Sequence, residues 1–141
     1  MRVVLDTNTV ISGIFWGGYP RQILEMARSG TISICTSQAL LDELLDVLSR
    51  PKFVARLTTI VNLTAEEVVA DYAALAEIVA VQAVDRVVPD DPDDDEVIAC
   101  AVAAEASYIV SGDKDLLDLS SYGNISILKA AQFVALLSPS E

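Results

Sequence analysis

The stretch DDDEVIACAVAAEASYIVSGDKDLL, residues 93–117, decides the fold. From Glu96 to about Ala106 its small and apolar residues read as a helix, and residues 108–111 (YIVS) read as a short buried strand. The strand stops at Gly112 and Asp113. A helix that feeds directly into an apolar strand ending at an acid is half of a βαβ unit, and the rest of the chain alternates in the same way. Upstream, residues 2–6 (RVVLD), 31–36 (TISICT) and 79–84 read as strands. Residues 125–128 form a fifth strand candidate, and 129–137 a closing helix. Between them, helices are expected over 9–15 and 19–28, split by Gly17-Gly18, and over 37–49, 52–58 and about 64–78. Thr64 and Glu67 form a T-x-x-E capping box for the last of these. Short apolar strands alternating with helices mean an α/β protein with a parallel sheet covered on both faces. With no repeat, linker or low-complexity tract, residues 1–141 are expected to form one domain.

Composition then narrows the chemistry. The chain has 141 residues, nine Lys or Arg, 21 Asp or Glu and no histidine, for a net charge of −12. Without His there is no Ser-His-Asp triad and no imidazole base, and two cysteines cannot close a Cys₄ zinc site. Catalysis would have to run on carboxylates, hydroxyls, Lys or Arg with a hard metal ion. No apolar run approaches a membrane span, and MRVVLDTN meets an acid too early for a signal peptide, so a cytoplasmic protein is expected. Cys35 and Cys100 sit in apolar surroundings and read as reduced, buried thiols. The charge is uneven: residues 1–84 carry −3 and residues 85–141 carry −9. Six of the seven residues 90–96 are acidic, five of them in an expected loop spanning 85–95.

In open α/β sheets the working site lies beyond the carboxyl ends of the strands, at a switch in strand order. Asp6 ends the first strand, and Asp113 follows the fourth. Asp95 opens the helix after the third strand, where the helix dipole favours an anion. Glu43, in the helix after the second strand, is a fourth candidate, beside Leu40, Leu44 and Val47. The alternatives are a turn acid at Asp6 or Asp113 and a solvated helix residue at Glu43, between Asp42 and Asp46. Gathered carboxylates repel one another unless a divalent cation holds them, and hard oxygen ligands suit Mg²⁺ or Mn²⁺. One or two such ions support phosphodiester hydrolysis without histidine and locally reverse the sign of the field for a polyanion.

Other readings of the acids fail on spacing. An EF-hand starting at Asp91 would put Glu96 where Gly is required and Val102 at the twelfth position. There is no G-x-x-x-x-G-K and no G-x-G-x-x-G.

Taken in order, VVLDTNTVISGIF, SQALLDELLDVLSRPKF, DPDDDEVIACAVAAEASYIVSGDKDLL and ISILKAAQF resemble the PIN-domain ribonucleases. The likeness is to the branch of toxins of toxin–antitoxin systems, relatives of the VapC toxins, and runs from residue 2 to about 137. It implies a three-layer fold with a five-stranded parallel sheet in the order 3-2-1-4-5. It also implies that Asp6, Glu43, Asp95 and Asp113 are the four acids, with Asp94 an alternative third ligand and Asp115 a further acid. Asn8 and Ser111 would orient ligands or water.

The expected function is Mg²⁺- or Mn²⁺-dependent endonucleolytic cleavage of single-stranded RNA, with an antitoxin partner and a homodimer implied by the resemblance. Arg21, Arg50, Lys52 and Lys114 are candidate backbone contacts for RNA. One alternative is a non-catalytic PIN scaffold held by a partner, suggested by the net charge. Another is a D-x-D-x-T phosphatase, which would need an acid where Asn8 stands.

Overall fold

The computed structural model describes residues 1–81 and 92–137, with side chains from residue 95 onward in the second stretch. Strands β1 (Arg2–Leu5), β2 (Ser33–Thr36), β3 (Glu77–Ile78), β4 (Tyr108–Val110), β5 (Ser121–Tyr122) and β6 (Ile125–Leu128) join in one sheet. Their order is β3-β2-β1-β4-β6-β5. β1, β2, β3, β4 and β6 are parallel and stand in the expected order. The sheet has six strands rather than five because β5 pairs antiparallel with β6 across a tight turn at Gly123. That hairpin covers an edge that would otherwise offer unpaired backbone groups.

Residues at alternate positions of the central strands face opposite layers, as the pleat requires. Val3, Leu5 and Val110 lie in one core with Val10, Ile23, Leu48 and Phe133. Val4 and Ile109 lie in the other with Ile98, Cys100, Ala101 and Leu116. The first layer is built from α1 (Thr7–Phe15), α2 (Gly18–Arg28), most of α3 (Gln38–Leu48), α5 (Ala65–Leu75) and α8 (Ala130–Leu137). α6 (Pro92–Ala104) and α7 (Lys114–Leu119) form the second. Small residues at 100, 101 and 104 let α6 lie close on β1, β2 and β4. Both cysteines are buried free thiols, and burial pushes the Cys100 thiol up to about 12, which makes it a poor nucleophile.

Several element boundaries differ from the sequence expectation. α1 begins at Thr7 instead of Thr9, because the Asp6 side chain caps it by accepting from the Thr9 N–H. Gly17 and Gly18, both at positive φ, turn the chain from α1 into α2. α4 (Pro51–Arg56) runs into a π-helical turn, Leu57–Val61, that closes on Asn62 in the left-handed region. The capping box of Thr64 and Glu67 opens α5 as expected, but α5 ends at Leu75. The third strand is Glu77–Ile78, earlier than the expected 79–84, with the Val79 N–H still donating to Thr36 O at 2.9 Å. Residues 82–84 of that expectation, and 85–91 of the expected acidic loop, lie outside the described residues. Residues 92–95 are helical, so α6 starts before Glu96. α7, which periodicity alone did not assign, opens directly after Asp113. Among the described residues no helix is long and apolar enough to cross a membrane.

Candidate active site

The register of β1 on β4 sets the site. Leu5 pairs with Val110, and the Asp6 N–H continues the ladder by donating to Val110 O at 3.2 Å. Asp6 and Ser111 therefore leave the sheet side by side at its carboxyl edge. Ser111 Oγ donates to Asp6 Oδ2 and accepts from the Asp113 N–H at 2.9 Å. Asp6 Oδ1 accepts from the Thr9 N–H at 2.8 Å. Asp113 in turn caps α7 by accepting from the Asp115 N–H at 2.8 Å. Asp6 and Ser111 are buried, at 6% and 1% exposure, while Asp113 is half-buried and Asp115 exposed.

The remaining acids come from two helices. Glu43 lies in the second turn of α3, half-buried, and its Oε2 accepts from Thr7 Oγ1 at 2.7 Å. Since Thr7 follows Asp6 in the chain, this bond ties α3 to the end of β1. Asp95 is half-buried in the first turn of α6, the helix that packs on β1. The Asp94 side chain lies outside the described residues. Among the described residues no three acids stand together as a ready ligand cluster. The bonded unit is Asp6–Ser111–Asp113, with Glu43 joined to it through Thr7.

Asn8 is exposed on the first turn of α1. Of the four candidate RNA-contacting cations, Lys114 is the one beside the acids, next to Asp113, where it pairs with Asp118 at 2.6 Å. Arg21 binds the carbonyls of Gly13 (2.9 Å) and Ile14 (2.8 Å) at the far end of α1. It completes a helix C-terminus there, which removes it from the rim. Arg50 lies past the C-terminus of α3, where it pairs with Asp46 at 3.3 Å, and Lys52 stands over the Phe53 ring at 4.9 Å. A helix rises about 1.5 Å per residue, so Arg50 is about 10 Å along the axis from Glu43. Arg21 and Lys52 look like surface charges in sequence because their partners, backbone carbonyls and a ring, carry no sequence signature.

Burial holds the Asp6 carboxyl above its ordinary range, and the nearby Asp113 charge adds to that. Hydrogen bonds from Ser111 and Thr9 work the other way, but both donors are neutral. A buried carboxylate beside a second acid, held only by neutral donors, is the arrangement a cation relieves. The available donors are all oxygens, so the set fits a hard divalent ion such as Mg²⁺ or Mn²⁺. Thr7 is the residue the sequence reading overlooked. Its signal was its place directly after a strand-end acid, but its partner lies 36 residues away.

The family model of the PIN domain matches residues 2–115. Among solved structures, a chain of VapBC2 from Rickettsia felis, bound to a DNA fragment from its promoter, is similar in fold. It shares 16% identity at a TM-score of 0.60, covering 90% of this chain and 97% of that one. The PIN domain of RRP44 from T. brucei aligns at 18% identity and a TM-score of 0.47, covering 96% and 79%. A search of curated proteins found no match.

Proposed function

The chain belongs to the PIN domain family, whose members are generally nucleases, and from that premise we propose that it is a Mg²⁺- or Mn²⁺-dependent endoribonuclease acting on single-stranded RNA. The observation that carries the proposal is the bonded unit of Asp6, Ser111 and Asp113 at the carboxyl edge of β1 and β4. Asp6 and Asp113, with Glu43 and Asp95 from the flanking helices, would hold one or two ions directly or through water. Asp94 and Asp115 are further candidate ligands.

A bound divalent ion supplies charge stabilisation on the phosphate and a water acidic enough to attack it at neutral pH. The chain does the positioning. Ser111 fixes one Asp6 oxygen and, through the Asp113 N–H, the start of α7. Asn8, exposed beside the acids, is available to orient water or a phosphate oxygen. Lys114, next to Asp113, is a cation available to a substrate phosphate, and because it already pairs with the exposed Asp118, an incoming phosphate competes with a weak surface ion pair.

The likeness in fold to a chain of VapBC2 supports a role as the toxin of a toxin–antitoxin pair with an antitoxin partner, and the resemblance to that family adds a homodimer to the proposal. A net charge of −12 favours a second reading, a non-catalytic scaffold held by a basic partner. Cleavage of a single-stranded RNA oligonucleotide, measured with Mg²⁺ or Mn²⁺ and with a chelator, separates the two. Metal-dependent cleavage by the wild type, abolished in Asp6→Asn, is expected. No cleavage with either ion, or undiminished cleavage by folded Asp6→Asn, contradicts the ribonuclease reading.

A further inference from the structure

Thr7 brings a second buried hydroxyl to the acids, and the roles assigned above leave it unused. It is the first residue of α1, 8% exposed, and its Oγ1 donates to Glu43 Oε2 at 2.7 Å. We infer that Thr7 is the positioning residue for Glu43: its hydroxyl holds Oε2 and so sets how the Glu43 carboxylate faces a cation. The inference rests on reading the acids as a cation site.

A glutamate on a helix face has three rotatable side-chain bonds, and in solvent it samples many of their combinations. A hydrogen bond from a hydroxyl to a carboxylate is charge-assisted and removes most of that freedom. The donor is itself fixed. Thr7 is β-branched and stiff at χ1, and it sits between Asp6, which is bonded into the sheet edge, and the first turn of α1. Glu43 is bonded to the residue covalently next to Asp6, so the spacing of two acids from different helices and strands is set by one short chain of bonds. Ser111 treats Asp6 in the same way, donating to one of its oxygens. Two acids, each with one oxygen held by a buried hydroxyl, make a more preorganised ligand set than four free side chains. Partners that orient ligands in this way typically carry about ten- to hundredfold in metal affinity. A purely structural link between α1 and α3 would predict a loss of stability with no change in cation binding.

Mn²⁺ binding by the full chain, measured by calorimetry, tests this. Thr7→Val keeps the shape and removes the hydroxyl, and it should weaken Mn²⁺ binding by about tenfold or more. Thr7→Ser, which retains the hydroxyl, should restore most of the affinity. In a Glu43→Gln background Thr7→Val should add nothing. Should the valine variant fail to fold, Thr7→Ala removes the same hydroxyl with a smaller side chain. A folded Thr7→Val or Thr7→Ala that binds Mn²⁺ as tightly as a binding wild type overturns the role of Thr7 alone. A wild type that binds no Mn²⁺ overturns the cation site itself, and the role of Thr7 with it.

Discussion

Asp6 does three things at once: it ends β1, caps α1 through the Thr9 N–H, and accepts from Ser111. These demands conflict at neutral pH, because burial disfavours the charge that a metal ligand needs. Its folded carboxyl titrates above the ordinary carboxylate range. Over that window the folded chain keeps a proton that the unfolded chain has released, so the Asp6 contribution to stability falls as pH rises and then levels off. In chelator, Asp6→Asn should therefore melt higher than the wild type at neutral pH, and the gap should close as pH falls below the ordinary carboxylate range. Adding Mg²⁺ should raise the wild-type Tm and leave Asp6→Asn unmoved, since only a binding-competent native state gains from the ion. A variant that melts lower than the wild type at neutral pH in chelator contradicts this account of Asp6. At this scale the sequence was informative where chemistry is local. Asp6, Ser111 and Asp113 each stand at a strand end, a position legible from the apolar runs before them. Thr7 was overlooked, and the backbone contacts of Arg21 went unseen, because what they bind is distant in sequence or is backbone.

The elements matter through their faces and their register. Glu43 can reach Thr7 because its neighbours Leu44 and Leu48, at 2% and 0% exposure, press α3 into the core it shares with α1. Asp46 on the same helix is exposed and paired with Arg50. Leu44→Ala should cost about 2–5 kcal/mol in urea unfolding, the range for emptying a packed leucine site. Asp46→Asn should cost under about 1 kcal/mol, as for other exposed ion pairs. Equal effects would mean that α3 presents a different face to the core. Apolar spacing made this face readable from the sequence alone, with Leu40, Leu44 and Val47 marking the packed side around Glu43. The third strand was less readable. Among the described residues the strand paired with β2 is Glu77 and Ile78, and both are exposed, so no buried alternation marks it. The π-helical turn at Leu57–Val61 is similarly silent, because an extra residue in a helical turn leaves composition unchanged.

At the scale of the whole molecule, the −12 charge and the absence of histidine describe one situation. A chain with −9 in residues 85–141 repels a polyanion, so on the proposed reading RNA is held where a cation reverses the field. The edge where β1 and β4 end is the proposed place, and strand order made it legible. Once β1 and β4 are neighbours in a parallel sheet, their carboxyl ends must bring Asp6 and Asp113 together. What strand order could not supply is the reach of the helices, which decides how far Glu43 and Asp95 stand from that pair. The measurement that reads this directly is a crystal structure of the chain soaked in Mn²⁺, with the metal located by anomalous scattering. The account predicts a peak bounded by carboxylate oxygens of Asp6, Glu43, Asp95 and Asp113, directly or through water. A well-ordered site with no peak there, or a peak that leaves out Asp6 and Asp113, would contradict it.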